Sequence, residues 1–193
     1  MTKWLSHRMV ERGIIKEEEQ ELYQFGIRNG MILLLNVVTA LVIGLLTEQL
    51  AVVAVFTLSF MVLRSYTGGY HSDSRIFCYL GSNLVLLVPV YTQAVFYKTS
   101  LAWLLAVLLV SAGIIFLLSP MHSKNRKLDK EEQKHFGRKA RLIVALELAV
   151  LGILWHAGQI PYAYAVYTGI CITALFMLVG KAQLWIQSHT ENG

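Results

Sequence analysis

Two residues in this sequence have the types and the setting for nucleophilic catalysis: His71 and Cys78, in the stretch RSYTGGYHSDSRIFC over 64–78. A thiolate is the attacking form of cysteine, and it needs a base or a nearby positive charge to form near neutral pH. His71 can take the thiol proton. Arg64, Arg75 and a helix N-terminus can hold the anion, the last only modestly because the dipole effect fades after the first turn. On one straight helix, seven residues rise about 10.5 Å, too far for a hydrogen bond between these side chains. The histidine must therefore come from a loop that folds back. Gly68-Gly69, just ahead of it, supplies positive-φ freedom and close backbone approach. Ser72, Asp73 or Ser74 can cap a helix that starts next, with Cys78 in its second turn and Arg75 on the same face. Spacing alone leaves other readings open. A cysteine beside a membrane helix end is also a packing residue or a palmitoylation site. A loop histidine is often simply solvated. A site of His71, Asp73 and Cys78 would lack a fourth protein ligand nearby, so no metal is expected, and no cofactor.

The elements that must position this loop are apolar. Of 193 residues, 55% are hydrophobic and 15% charged, and the mean hydropathy is +0.53. A soluble domain carries ~25% charged residues, so composition points to a membrane-embedded chain. Apolar runs cover 31–46, 49–63, 79–96, 101–118, 142–158 and 161–180. A spanning helix needs ~20 residues, with a lower range near 17. The last four runs fit. The first two are short and are broken only by Thr47-Glu48-Gln49, which reads as a helical hairpin over 31–63. The fold expected is all-α: one polytopic membrane domain over 1–193, with about six transmembrane helices. Residues 1–30 add an amphipathic interfacial segment with Trp4, Leu5, Met9, Leu22, Tyr23 and Phe25 as its apolar members, ended by Asn29-Gly30. Five acids and five bases in that segment, with no apolar h-region, argue against a cleavable signal there.

Charge gives the orientation. With the N-terminus in the cytoplasm, the inner segments are 1–30, the catalytic loop 64–78, the basic loop 119–141 and the tail 181–193, joined by hairpins over 79–118 and 142–180. They hold 16 of the 17 Lys and Arg, leaving only Lys98 outside. That asymmetry is what the positive-inside rule predicts for a cell-membrane protein with both ends and the His/Cys loop cytoplasmic. Arg64, His71, Asp73 and Arg75 must then line the interface or a wet cavity, since an ionised Arg or Asp at mid-bilayer costs ~2.5–3.5 kcal/mol.

Other polar residues invite roles. The segment SPMHSKNRKLDKEEQKHFGRKAR over 119–141 has eight bases and three acids. It can fix topology and bind anionic lipid, or dock an acidic partner through Lys124, Arg126 and Lys127. Nucleic acid is not expected, because no stacking aromatics or reading fold accompany the charge. Glu147 lies within a span, about 9 Å along the helix from Arg141. It reads either as an Arg-paired or protonated group or as a contributor to peptide binding. Asn36 and Asn83 suit interhelical hydrogen bonds. Cys171, in GICITALFM, reads as packing, and Trp4, Trp103, Trp155 and Trp185 fall near predicted membrane boundaries.

The pattern Arg64-x4-Gly69-x-His71-x6-Cys78 resembles the signature of the accessory gene regulator B family. The order of amphipathic start, hairpin, His/Cys loop and later basic SPMHSKNRK stretch is similar too, and the length fits. The resemblance implies a membrane endopeptidase for a quorum-sensing propeptide. Cys78 would be the nucleophile, His71 the general base, and Arg64 and Gly69 supporting positions. Asp73, Asn83 and Ser72 are candidates to orient His71. Members of the family cut a short precursor on its C-terminal side, and many close the retained part into a thiolactone. The expected partners are a short precursor peptide with an acidic C-terminal region, which the basic loop would receive, and membrane lipid; a homo-oligomer is compatible with the chain. Two other classes remain: a small transporter or exporter using Glu147 and the hairpin, and a membrane scaffold with a lipidated Cys78.

Overall fold

The computed structural model of the protein describes residues 2–68, 75–121 and 129–190, with backbone alone at 2, 29, 75–78, 130 and 187–190. The described residues form helices α1 (Thr2–Glu11), α2 (Gln20–Leu46), α3 (Leu50–Thr67), α4 (Arg75–Tyr91), α5 (Gln93–Lys98), α6 (Leu101–Leu118), α7 (Lys130–His156) and α8 (Ile160–Thr190), with a 3-10 turn at Glu17–Glu19. No strand occurs among them. The chain divides into two compact units, Met1–Thr39 and Ala40–Gly193.

In the first unit, Arg8 lies over the Trp4 ring at 4.9 Å on successive turns of α1, and His7 meets Glu11 at 3.5 Å. Trp4 and Leu5 of α1 and Leu22, Tyr23 and Phe25 of α2 are exposed. The sequence predicts a break at Asn29-Gly30, but α2 runs through it from Gln20. One glycine costs a helix only ~1 kcal/mol relative to alanine, too little to end so long an apolar run. The helix therefore reaches 27 residues, about 40 Å at 1.5 Å per residue, and is not short for a span.

The second unit starts inside α2 and turns back at once. The Gln49 N–H donates to the Gly44 carbonyl at 2.9 Å, and Glu48 takes φ +56°. A Cβ on Gly44 would lie 2.8 Å from the Leu50 Cα, so this tight return needs glycine there. A tight helix–turn–helix thus links α2 to α3, and α3 at 18 residues approaches the ~30 Å hydrocarbon thickness.

Helix α8 is the centre of this unit. Val166, Ile170, Ala174 and Met177 pack with Leu63, Ile115 and Val144 in one cluster, while Ala165 and Ile172 join Val53, Phe56 and Leu86 in a second. Small residues let it pack close to its neighbours, as in membrane helix pairs generally. At Gly169 an added Cβ would sit 2.5 Å from the Ser59 Oγ and 3.2 Å from the Ser59 Cβ, so α3 and α8 touch nearly backbone to backbone.

Two segments take forms the sequence did not suggest. The run 79–96 is divided between α4 and α5 at Thr92. Pro89, inside α4, lacks the N–H that would bond one turn back, and its ring crowds the carbonyl there. The Thr92 hydroxyl bonds the Val88 carbonyl at 2.6 Å and also pairs with the Tyr164 hydroxyl. The second half of the basic loop is helix, because α7 begins at Lys130. Asp129 caps it, accepting from the N–H groups of Glu131 at 2.8 Å and Glu132 at 3.0 Å, and Glu132 completes a capping box.

Helices α2, α3, α6 and α8 are each long and apolar enough to cross a membrane. The apolar part of α4, Tyr79–Tyr91, is shorter, and α7 carries its charged turns ahead of its apolar ones. The protein is an all-helical polytopic membrane protein. Gly169→Ala should lower stability in detergent by about 1–3 kcal/mol, the usual cost of overpacking. A thermal melt checks this, and the same change made in a Ser59→Gly background, where the clash is gone, should cost less.

Candidate active site

The quoted loop leaves α3 at a constructed end. Thr67, the last residue of α3, is fully buried. Gly68 follows with φ +72° and ψ −149°, a region open essentially to glycine alone. The Arg64 guanidinium donates through Nη1 to the Gly68 carbonyl, and the Thr67 hydroxyl donates to the same oxygen at 3.3 Å. Arg64 also lies over the Phe176 ring of α8 at 5.4 Å, and Phe176 meets Phe60 edge-on at 5.9 Å. The arginine is thus held by α3 and α8 together.

A distant segment meets this end. The Met121 N–H donates to the Thr67 carbonyl at 2.9 Å, and the Met121 carbonyl oxygen lies 2.7 Å from where a Gly68 Cβ would be. Pro120, beside it, lies 3.2 Å from where a Gly137 Cβ would be, so α7 backs the contact. Tyr66 packs on Phe136, with the Lys139 ammonium 5.6 Å from its ring. The start of the His71 loop and the start of the basic segment therefore meet at one junction.

Of the residues the sequence nominates, Arg64 is at this junction. Arg75 and Cys78 are the first and fourth residues of α4, where the first four backbone N–H groups of a helix have no partner within it. Gly69, His71, Ser72 and Asp73 lie outside the described residues, as do Lys124, Arg126 and Lys127. Glu147 is half-buried on α7 and accepts a hydrogen bond from the Ser59 hydroxyl of α3 at 2.9 Å. Arg141 instead donates to the Phe116 carbonyl at 3.3 Å and covers the Phe116 ring. Asn83 bonds the Tyr79 carbonyl of its own helix at 3.0 Å rather than a neighbouring helix. Cys171 is half-buried in α8. No cluster of three or more possible metal ligands occurs among the described residues.

Sequence reasoning missed Thr67, Met121, Phe176 and Ser59. Only Ser59 had a signal: an intramembrane carboxyl calls for a polar partner, and Ser59 is a hydroxyl on a helix of the same core.

The model of the family described as accessory gene regulator B matches residues 1–178. The chain belongs to the accessory gene regulator B family. It is 26% identical over 156 residues to the accessory gene regulator protein B of Staphylococcus intermedius, covering 79% of this chain and 80% of that one. It is 23% identical over 165 residues to an AgrB-like protein of Clostridium perfringens, covering 81% and 77%. No solved structure matches it. Membership supports a part in the peptide processing of accessory-gene-regulator quorum sensing.

Glu147→Gln keeps an oxygen for the Ser59 hydroxyl and should leave stability near that of the parent. Glu147→Leu strands that hydroxyl between helices and should cost about 1–3 kcal/mol, read from unfolding in detergent.

Proposed function

We propose that this AgrB-family protein is a membrane cysteine endopeptidase that cuts a short signalling propeptide through a Cys78–His71 dyad. The observation that carries this reading is the Arg64-x4-Gly69-x-His71-x6-Cys78 pattern in a chain that matches the family over residues 1–178. It is supported by the start of α4 at Arg75, which leaves Cys78 in the first turn, where unpaired N–H groups favour an anion.

The chemistry follows from a thiol and an imidazole. His71 takes the Cys78 proton, and the thiolate attacks the peptide carbonyl carbon. The carbon–nitrogen bond breaks, His71 returns the proton to the departing amine, and a thioester to Cys78 remains. Water then releases a linear product and restores the thiol. Alternatively a cysteine of the bound peptide gives its proton to His71 and attacks the same carbon. Cys78 leaves as thiolate and the product is a thiolactone. This second exchange replaces one thioester by another and costs little bond energy. It needs the peptide thiol held close, where effective molarity is high, and shielding from water.

The active site faces the cytoplasm in this reading, because all the Lys and Arg except Lys98 fall on that side. An acidic tail of the propeptide docks on the basic segment, through Lys124, Arg126 and Lys127 and the exposed bases Lys134 and Arg138 of α7. Glu147, joined to Ser59, fits a role in holding α3 to α7 better than direct contact with peptide.

Co-expression with a candidate precursor, a short peptide with an amphipathic start and an acidic end, tests the reading. Cys78→Ala and His71→Ala should each abolish cleaved product, and cleavage that persists in Cys78→Ala would reject it. A transporter would instead tolerate Cys78→Ala and fail with Glu147→Ala; a lipidated scaffold would lose only its palmitate. Reversing Lys124, Arg126 and Lys127 to glutamate should weaken cleavage, chiefly through KM; unchanged turnover would reject tail docking.

A further inference from the structure

We propose that the backbone junction of Thr67, Gly68 and Met121 is a positioning element for His71, setting the point and direction from which the histidine loop leaves α3. The proposal rests on the Cys78–His71 reading and adds residues that the motif does not contain.

The junction is over-determined. Gly68 is held to glycine twice over: by a backbone conformation that side chains do not adopt, and by the Met121 carbonyl oxygen 2.7 Å from where a Cβ would sit. The carbonyl of Gly68 accepts from Arg64 and from Thr67. That fixes the plane of the peptide joining Gly68 to Gly69, hence the direction in which the next residues start. Thr67, fully buried, cannot shift without breaking the 2.9 Å bond its carbonyl accepts from Met121. Behind Met121, Pro120 rests against Gly137 of α7; behind Arg64 stands Phe176 of α8. Three helices and the turn after α6 therefore converge on the backbone of one residue.

His71 is the third residue after that point, and α4 begins at the seventh. Only Gly69 and Tyr70 stand between Gly68 and His71 in the chain, so a change in the direction set at Gly68 carries to the imidazole. Misplacing a reacting group by 1 Å can cost ~10²-fold in rate. Arg64 acts here through the Gly68 carbonyl, as a strut.

The test uses the full-length protein in detergent or nanodiscs with Cys171→Ser, which leaves Cys78 as the only thiol. Two quantities are read: kcat and KM for peptide cleavage, and the rate of Cys78 alkylation by iodoacetamide against pH. His71→Ala is the reference and should slow alkylation near pH 7 by ~10-fold while converging with the parent at high pH, where the thiol ionises unaided. Met121→Pro removes the N–H given to Thr67, and Gly68→Ala forces the Cβ onto the Met121 carbonyl. Both should move the alkylation curve toward that of His71→Ala and lower kcat ~10–100-fold, with KM within about threefold. Thr67→Val, the smallest change in packing, should shift both readouts the same way by less. Met121→Leu keeps the N–H and should behave as the parent. If His71→Ala shifts the curve while Met121→Pro, Gly68→Ala and Thr67→Val keep the parent's curve and kcat, the junction has no positioning role and the dyad stands. If His71→Ala leaves the curve unchanged, the dyad fails and the junction's role fails with it.

Discussion

Hydrocarbon will not hold ionised side chains cheaply, at ~2.5–3.5 kcal/mol for each Arg or Asp near its centre, and that constraint governs where this chain can do chemistry. Arg64, His71, Asp73, Arg75 and Cys78 lie within one segment between two apolar helices. They have to meet water at a helix end. The fold supplies that end by carrying α3 to Thr67 and restarting the chain as α4 at Arg75. The same constraint acts on α7. Its first turns carry Lys134, Arg138, Lys139 and Arg141, and its apolar part follows from Leu142. Where a charge-capable group does enter the apolar part, at Glu147, it has a hydroxyl partner on the neighbouring helix.

The second requirement is close packing without side-chain bulk. Membrane helices gain little from excluding one another from water, so contact must come from fit and from hydrogen bonds. Helix α8 shows the solution. Gly169 admits Ser59 of α3, and Ser59 in turn reaches Glu147 of α7, so a single contact site ties three helices. Five residues nearer the C-terminus of α3, Phe176 of α8 braces Arg64. The packing that makes the bundle is continuous with the packing that holds the end of α3.

Much of this was legible in the residues, for identifiable reasons. Every apolar run read from the sequence appears as helix, because hydropathy reports directly on what lipid accepts. The His71–Cys78 stretch stands out as a candidate because a histidine, a cysteine and a glycine pair lie close together in the chain. The split at Thr92 was visible only as Pro89, whose effect depends on what Thr92 and Tyr164 do around it. The helical start at Lys130 has a signal, Asp129 followed by Glu132, set within a segment whose dense charge is equally compatible with a solvated loop. The contact of Gly68 with Met121 had none. The two residues are more than fifty positions apart, they meet through backbone atoms, and no side-chain pattern records a bond between main chains. Which helix lies in the centre was equally hidden, since all the spans are apolar on most faces.

Peptide cleavage by the proposed Cys78–His71 dyad requires a covalent step at Cys78. Intact-mass spectrometry of the full-length protein, acid-quenched during turnover of a precursor peptide, measures that step directly. The expected result is an adduct equal in mass to the N-terminal peptide fragment, carried by Cys78 and removed by hydroxylamine, as a thioester must be. Cleaved peptide accumulating with no such adduct, or with the adduct on Cys171, would contradict the proposed dyad.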